Sequence, residues 1–225
     1  MLHTLEFNSK SFFLPKYSVD LFKATLDKEL TEKLTKITLD MEPKVLAETT
    51  NPDFEKRPGD WITGRMWQYN LLDWNYPEIQ QFQEWIVEQY RAYCIAVGTT
   101  PADKLYCHSW ANIIRNNGRR ITEHNHAHAN TGGPGGDYSS TIEDSYVSGH
   151  ISLQAENTKT HYRNPYIEIY KGIPNHPGDL WLFPSYIDHK TSENKSKNPR
   201  VSLAFDFITG PVYNKIGNKF FKQVI

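Results

Sequence analysis

The sequence Gly178-Asp-Leu-Trp-Leu-Phe-Pro-Ser-Tyr-Ile-Asp-His189 is followed, one short turn later, by Pro199-Arg-Val-Ser-Leu-Ala-Phe-Asp206. Each block contains a short, mostly apolar run of the length and composition that favour a β-strand. The first run ends shortly before His189, and Arg200 begins the second run eleven positions later (200 − 189). The two blocks therefore predict neighbouring strands, with a histidine just past the end of one and an arginine at the start of the other.

A cluster of histidines precedes these blocks, in Thr122-Glu-His-Asn-His-Ala-His128. Alternate residues of an extended segment point to the same side, so His124 and His126 can bind one metal ion. His126 and His128 have the same spacing, and this second register stays open. With His189 arriving from a different strand, the three imidazoles suggest a non-heme iron site.

Arg200 suggests a second binding function beside the metal. It shares a strand face with Ser202, and a guanidinium buried in a barrel requires an anionic partner. A planar carboxylate is suited to bidentate pairing with arginine, and Ser202 could add a hydroxyl donor. The alternative is a structural salt bridge to Asp188 or Asp206.

The order H-x-H, an S-G strand, G-D-x-x-x-F-P-S-x-x-x-H and R-x-S resembles a family of 2-oxoglutarate/Fe(II)-dependent oxygenases of marine bacteria and their phages. The resemblance covers about residues 110–207. It implies a double-stranded β-helix (jelly-roll) core, Fe(II), 2-oxoglutarate as cosubstrate, and ascorbate as a candidate reductant. It also implies a dioxygenase, with hydroxylation as its expected reaction. The implied catalytic metal ligands are His124, His126 and His189, and the implied cosubstrate residues are Arg200, Ser202 and Asn112.

The sequence departs from the common oxygenase pattern at two positions. Most 2-oxoglutarate oxygenases carry a carboxylate where this chain has His126, so a site of three histidines is the direct reading. The resembling family commonly has a tyrosine at the place of Ser152, and either another group or a water must then complete the cosubstrate pocket. Asn112 matches the W-x-N strand of the family and is the best further candidate.

Two alternatives belong to other functional classes. Gly118, followed after five residues by His124 and His126, matches the front of the cupin metalloenzyme pattern, but positions 130 and 131 are Asn and Thr where that pattern needs glutamate. A jelly-roll structural or binding protein without catalytic activity is the other alternative. Fe(II) binding and O₂-dependent succinate formation distinguish the three.

The rest of the chain predicts a mainly β protein with flanking N-terminal helices. Apolar residues step by three or four over residues 18–39, where Pro43 would end the helix, and again over residues 77–97. Strands are expected at 106–114, on the way into His124, and at 148–155, 166–170, 179–183 and 200–207. We expect one oxygenase domain over 1–225, with a mostly helical support region (1–100), a jelly-roll catalytic core (101–210) and a C-terminal extension (211–225).

Composition narrows the expected partners. A net charge of −1 provides no basic surface for nucleic acid, and no stretch is apolar enough to cross a membrane. Two cysteines without a disulfide pattern suggest a reducing cytoplasm, that of the host if the chain is phage-encoded. The substrate is expected to be a small molecule or a protein side chain, and the oligomeric state is open. The Gly-rich segment 129–145 is expected to form a mobile lid.

Overall fold

The structure is a computed structural model that describes residues 1–8, 11–13, 16–49, 63–115, 120–126, 146–216 and 219–225. Its strands are β1 (Leu2–Phe7), β2 (Tyr17–Thr25), β3 (Leu105–Ile114), β4 (Val147–Gln154), β5 (Lys159–Arg163), β6 (Tyr170–Pro174), β7 (Asp179–Pro184), β8 (His189–Thr191), β9 (Arg200–Thr209) and β10 (Lys222–Gln223). Its α-helices are α1 (Lys28–Glu48), α2 (Pro77–Ala96) and α3 (Gly210–Ile216).

Two antiparallel sheets form the body of the molecule, as the predicted jelly-roll core requires. The larger sheet has the order β1-β2-β7-β4-β9-β3-β10, and the smaller has the order β6-β5-β8. A single β-bridge between His124 and His189 extends the small sheet beyond β8. The larger sheet takes strands from both ends of the chain, since β2 pairs with β7 and β10 pairs with β3.

The helices α1 and α2 cover the outer face of the large sheet. On β9 the alternating residues Val201, Leu203, Phe205 and Phe207 are buried in one apolar cluster with residues of both helices, as predicted from their shared face. The ring of Phe205 packs edge-on against Phe82 of α2 at 6.2 Å between centroids. Burial of a large apolar side chain of this kind stabilises the fold by about 1.5–3 kcal/mol.

The packing of neighbouring side chains explains why position 149 of β4, in the middle of this apolar face, is a glycine. A Cβ atom at that position would lie 2.5 Å from Cζ of Phe205 and 2.7 Å from a methyl group of Leu182. Both distances are far below van der Waals contact, so the close packing of Phe205 requires glycine there.

The opposite face of the large sheet looks toward the small sheet and carries both apolar and polar residues. A second apolar cluster lies there, including Leu21, Tyr162, Trp181 and Phe183. Between this cluster and β3, buried polar side chains on β3, β4 and β9 share the inner face: His108, Asn112, Ser148, His150, Ser152, Arg200, Ser202 and Asp206. The inner face therefore combines an apolar wall with a concentration of polar groups.

The predicted helix over residues 18–39 is wrong in its first part. Residues Tyr17–Thr25 form β2, and α1 begins only at Lys28, where the Asp27 side chain accepts a hydrogen bond from the Leu30 N–H at 2.9 Å. Val19 and Phe22 fit a helical stripe by spacing, but they lie on opposite faces of β2, in different apolar clusters. Pairing with β1 and β7 outweighed the weak local helical pattern.

Three further predicted boundaries differ from the structure. Pro43 lies inside α1, which continues to Glu48 at the expense of one backbone hydrogen bond. The approach to His124 contains a single bridge instead of a strand. The strand expected at 166–170 begins at Tyr170, and β5 was not predicted at all. Within the described ranges, none of the helices is long and apolar enough to cross a lipid bilayer.

Candidate metal centre

The three histidines singled out in the sequence come together at the edge of the small sheet. Potential ligand nitrogens of His124, His126 and His189 all lie within 4.8 Å of one another. The ring centroids are 4.4 Å apart for His124 and His189, and 5.0 Å apart for His126 and His189. The arrangement therefore gathers three imidazoles from two distant parts of the chain.

Backbone hydrogen bonds place the two chain segments side by side. The N–H of His124 donates to the carbonyl of His189 at 3.1 Å, and the N–H of His189 donates to the carbonyl of His124 at 2.8 Å. The N–H of His126 donates to the carbonyl of Ser185 at 2.8 Å. This short ladder holds the H-x-H segment against β8, so the metal geometry depends on backbone pairing as well as on the side chains.

The hydrogen bonds of the rings assign one tautomer to all three histidines. In each ring Nδ1 faces an acceptor: the Thr122 carbonyl at 2.8 Å for His124, Asp206 Oδ1 at 2.6 Å for His126, and the Ile187 carbonyl at 3.0 Å for His189. An Nδ1–H donor leaves the lone pair on Nε2. All three rings thus have a free ligand atom of the same type.

These lone pairs need a cation between them. The Nε2 atoms of His124 and His126 are 3.2 Å apart, so two acceptors face each other at hydrogen-bonding distance. Two imidazole nitrogens at about 2.0–2.1 Å from one ion would have about this separation. The donor set fits a first-row divalent ion, with imidazole suited to iron among others.

Burial keeps His124 and His189 neutral and ready to bind a metal. The pKa of His124 falls to about 4, first because burial disfavours its charged form and second because His126 repels it. The pKa of His189 lies well below its ordinary value, again through burial first and repulsion from His124 and His126 second. Neutral imidazole is the form that coordinates a metal, so no proton has to leave these two rings at neutral pH.

His150 lies deeper on the inner face and makes the metal-free protein sensitive to acid. Burial, followed by repulsion from Arg200, lowers its pKa to about 3, against about 6.5 in the unfolded chain. Between these values the unfolded chain binds a proton that the folded chain does not. We expect the free energy of unfolding to be unaffected by this group above pH 6.5 and to fall below it, by up to about 1.4 kcal/mol per pH unit.

Urea unfolding of metal-free protein between pH 8 and pH 5 measures this dependence. His150→Gln removes the titrating group, and we expect a shallower decline in that variant. Parallel declines in the two proteins would contradict the assignment to His150.

Arg200 lies on the same inner face and has the character expected of an anion-binding residue. It is only 3% exposed, and its Nε and Nη1 atoms have no hydrogen-bond partner among the described residues. Burial lowers the pKa of Arg200 to about 10, while the charge interaction with Tyr162 raises that pKa by a smaller amount. The rival salt bridges are not formed in the described part of the chain, because Asp188 contacts Asn125 and Arg163 instead.

The other predicted cosubstrate residues surround Arg200. In the sheet register Ser202 lies opposite Asn112 on one side and Ser152 on the other. All three side chains are buried, and Asn112 Oδ1 and Ser152 Oγ have no hydrogen-bond partner among the described residues. Unpaired buried polar atoms are costly, so their concentration beside a buried guanidinium fits a pocket for a polar, anionic ligand.

Tyr162 is the residue of this pocket that the sequence did not reveal. It lies opposite His189 in the pairing of β5 with β8, and the two rings are 6.1 Å apart. Its hydroxyl group is 3.0 Å from His150 Nε2 and close enough to Arg200 to affect its pKa. Tyr162 is therefore close both to a candidate metal ligand and to the arginine. It is brought there by β5, a strand that the sequence analysis did not predict.

The contacts of Asp206 also differ from those expected from the sequence. It was named as a possible partner of Arg200, but its Oδ1 accepts hydrogen bonds from His126 Nδ1 and from Ser148 Oγ, each at 2.6 Å. Its position on the face of Arg200 and Ser202 was the available signal, since residues 200, 202 and 206 have the same parity.

The alternative register and the expected lid lie outside the described residues. His128 and the whole segment 129–145 fall in this group. Glu123 points away from the metal centre, and its carboxylate pairs with Arg163 at 2.9 Å on the outer side of the small sheet.

Comparison with known families agrees with the motif order. Residues 108–206 match the family model described as "Putative 2OG-Fe(II) oxygenase". No protein of curated function matches the chain.

Several solved structures share the fold. A Pseudomonas putida prolyl-4-hydroxylase matches with a TM-score of 0.57 and 14% identity, over 84% of this chain and 92% of its own. The epimerase SnoN, solved with Fe³⁺ and alpha ketoglutarate, matches with a TM-score of 0.55 and 10% identity, over 84% of this chain and 78% of its own. The carbocyclase SnoK matches with a TM-score of 0.52 and 14% identity, over 91% and 92%. At these identities the likeness is one of fold.

Proposed function

We propose that the protein, whose residues 108–206 match the 2OG-Fe(II) oxygenase family model, hydroxylates a C–H bond with Fe(II) held by His124, His126 and His189. The observation that supports this ligand set best is the convergence of three Nε2 lone pairs, each set by an acceptor at Nδ1. The overall reaction would consume substrate R–H, O₂ and 2-oxoglutarate and release R–OH, succinate and CO₂. When bound, the iron supplies the activation of O₂ for this chemistry.

The residues of the chain supply position and environment. His124, His126 and His189 would hold the ion, which would supply the binding of the cosubstrate and the activation of O₂. The wall of Trp181, Phe183 and neighbouring apolar residues limits access of bulk water to the reacting atoms. A dry site strengthens the interaction between the guanidinium of Arg200 and a carboxylate.

We propose that Arg200 binds the C5 carboxylate of 2-oxoglutarate, with Tyr162, Ser202 and Asn112 around it. The supporting observation is a buried guanidinium with two nitrogen atoms unpartnered among the described residues. Tyr162 can donate its hydroxyl proton to the same carboxylate when His150 Nε2 is not the acceptor. Its burial raises the pKa of its phenol, so it remains a donor throughout the working range.

Tyr162→Phe tests this pocket without removing an ionic group. We expect 2-oxoglutarate affinity to fall by roughly 10–150-fold, the equivalent of one hydrogen bond to a charged group of about 1.5–3 kcal/mol. Fe(II) affinity should not change. Calorimetric titration with 2-oxoglutarate into Fe(II)-loaded protein under anaerobic conditions measures the difference.

Tyr93→Phe is a matched control. Tyr93 lies on α2, and its hydroxyl donates to the Asp20 carbonyl of β2 instead of facing the proposed pocket. Equal 2-oxoglutarate affinities for Tyr162→Phe and the unmodified protein would remove Tyr162 from the pocket.

The substrate is proposed to be a small molecule or a protein side chain, and the compartment a reducing cytoplasm. Cys94 and Cys107 are both buried and free, which agrees with that setting. Ascorbate is a candidate reductant for keeping iron in the ferrous state.

Anaerobic titration with Fe(II) and 2-oxoglutarate tests the proposed function directly. We expect a visible charge-transfer band that requires both components, followed by O₂-dependent formation of succinate. Metal binding without an effect of 2-oxoglutarate would favour a cupin-like metalloenzyme. Absence of metal binding would favour a structural or binding protein.

A further inference from the structure

Asp206 is a buried carboxylate whose hydrogen-bond partners among the described residues are His126 and Ser148. Its side chain is 3% exposed, and both contacts at Oδ1, from His126 Nδ1 and Ser148 Oγ, measure 2.6 Å. In the described ranges no lysine or arginine lies within ion-pairing distance of it, and its Oδ2 has no partner there. A buried anion without a cation is costly, so a positive charge is expected close by.

The metal centre lacks the negative charge that this class of site usually contains. The common facial triad combines two histidines with one carboxylate, whereas the cluster of His124, His126 and His189 contains no carboxylate. Asp206 is hydrogen-bonded to one of these candidate ligands, His126. His126 is also the residue found at the position where a carboxylate is expected. Its charge also acts on the neighbouring groups. Burial, and after it the charge of Asp206, raise the pKa of the Cys107 thiol.

We propose that Asp206 is a positioning residue that fixes the His126 tautomer and supplies the metal centre with its missing negative charge through the His126 ring. This inference rests on the proposed three-histidine site. Accepting the Nδ1–H proton directs the Nε2 lone pair inward, and a cation bound at Nε2 strengthens the Nδ1–H···carboxylate bond in return. Ser148 holds the carboxylate in register by donating to the same oxygen.

Co(II) affinity tests the proposal without any requirement for turnover. Asp206→Asn keeps the size of the side chain and removes its charge, and Asp206→Ala removes both the charge and the acceptor. We expect Co(II) affinity, measured by competition with a chelator, to fall about tenfold in Asp206→Asn and up to about 100-fold in Asp206→Ala. The ligand-field spectrum of bound Co(II) should change in both variants.

Asp179→Asn is the matched control. Asp179 is likewise a buried carboxylate of the large sheet, but its carboxylate pairs with Lys23 at 2.7 Å and accepts from Thr25 at 3.2 Å, whereas that of Asp206 accepts from the His126 ring. We expect its loss to lower thermal stability and to leave Co(II) affinity within about twofold of the unmodified protein. A purely structural role for Asp206 predicts the same pattern for Asp206→Asn, and that result would overturn the proposal.

A measurement on the unmodified protein covers the case in which the variants do not fold. Long-range ¹H–¹⁵N spectra of Zn(II)-loaded protein should show the His126 proton on Nδ1 and the metal on Nε2. The opposite arrangement overturns the proposal. Failure of the metal site itself has a different signature: Co(II) affinity would then not depend on His189, whereas failure of this inference leaves that dependence intact.

Discussion

Replacing His189 with alanine should reduce bound iron to background while the protein stays folded. His189 is 6% exposed, and its ring forms a triangle with those of His124 and His126, whose centroids are 4.4 and 5.0 Å away. Loss of one of three ligands should weaken binding by more than the roughly 10–100-fold that removal of an outer hydrogen-bond partner costs. The backbone hydrogen bonds with His124 remain, so the expected loss of stability is only about 1–3 kcal/mol.

Elemental analysis of iron after anaerobic loading, with a melting curve of the same sample, measures both effects. His161→Ala is the matched control, because His161 is the neighbour of Tyr162 on β5 and points to the other side of the small sheet, opposite Lys190. We expect full iron occupancy in the control. A folded His189→Ala protein with one equivalent of tightly bound iron would remove His189 from the ligand set.

Replacing Arg200 with lysine should weaken 2-oxoglutarate binding by roughly 1.5–3 kcal/mol, or about 10–150-fold. Lysine lacks the planar fork that binds a carboxylate through two hydrogen bonds. A buried lysine also loses its charge more easily than a buried arginine. Burial lowers the pKa of Arg200 to about 10, and the same burial would act on a lysine whose ordinary pKa is only about 10.4. Fe(II) affinity should stay nearly unchanged, since the proposed role of the guanidinium is at the far end of the cosubstrate.

Melting temperature and 2-oxoglutarate dissociation constant, measured on the same protein, separate this role from a structural one. Arg115→Lys provides the comparison, because Arg115 binds Glu42 of α1 through its Nη1 at 2.7 Å and stabilises the packing of that helix. We expect Arg115→Lys to lower the melting temperature and to leave 2-oxoglutarate affinity unchanged. A lower melting temperature with unchanged 2-oxoglutarate affinity in Arg200→Lys would show that Arg200 has a structural role. It would also weaken the assignment of 2-oxoglutarate as the ligand of Arg200.

The strands that carry the site were predictable because their signal is local. In β9 the alternation of Val201, Leu203 and Phe205 with polar residues fixes which face meets the helices, whatever lies elsewhere in the chain. The apolar run of β7 and the long stripe of α2 are local signals of the same kind. The family match over 108–206 confirms the oxygenase class inferred from the motif order. The single-domain division, the cytoplasmic location and the bacterial or phage source stay predictions.

Local signals failed where two patterns competed. Residues 18–39 contain apolar spacings compatible with a helix, and the strand β2 became visible only through its partners β1 and β7. Strand β5 is short and carries charged and polar residues on its exposed side, so its alternation is weak. Tyr162 could not be placed for that reason.

Local patterns in the chain predicted the groups of the candidate site: an H-x-H segment in one of two registers, a distal histidine, an arginine and the strands that begin or end at them. How these groups are completed depends on tertiary contacts, because the decisive ones join residues far apart in the chain. The hydrogen bond from His126 to Asp206 spans 80 positions, and the bridge from His124 to His189 forms between a loop and the end of the small sheet. Side-chain parity predicts the face on which a residue lies, but which strand faces it is set by sheet pairing and packing over the whole molecule.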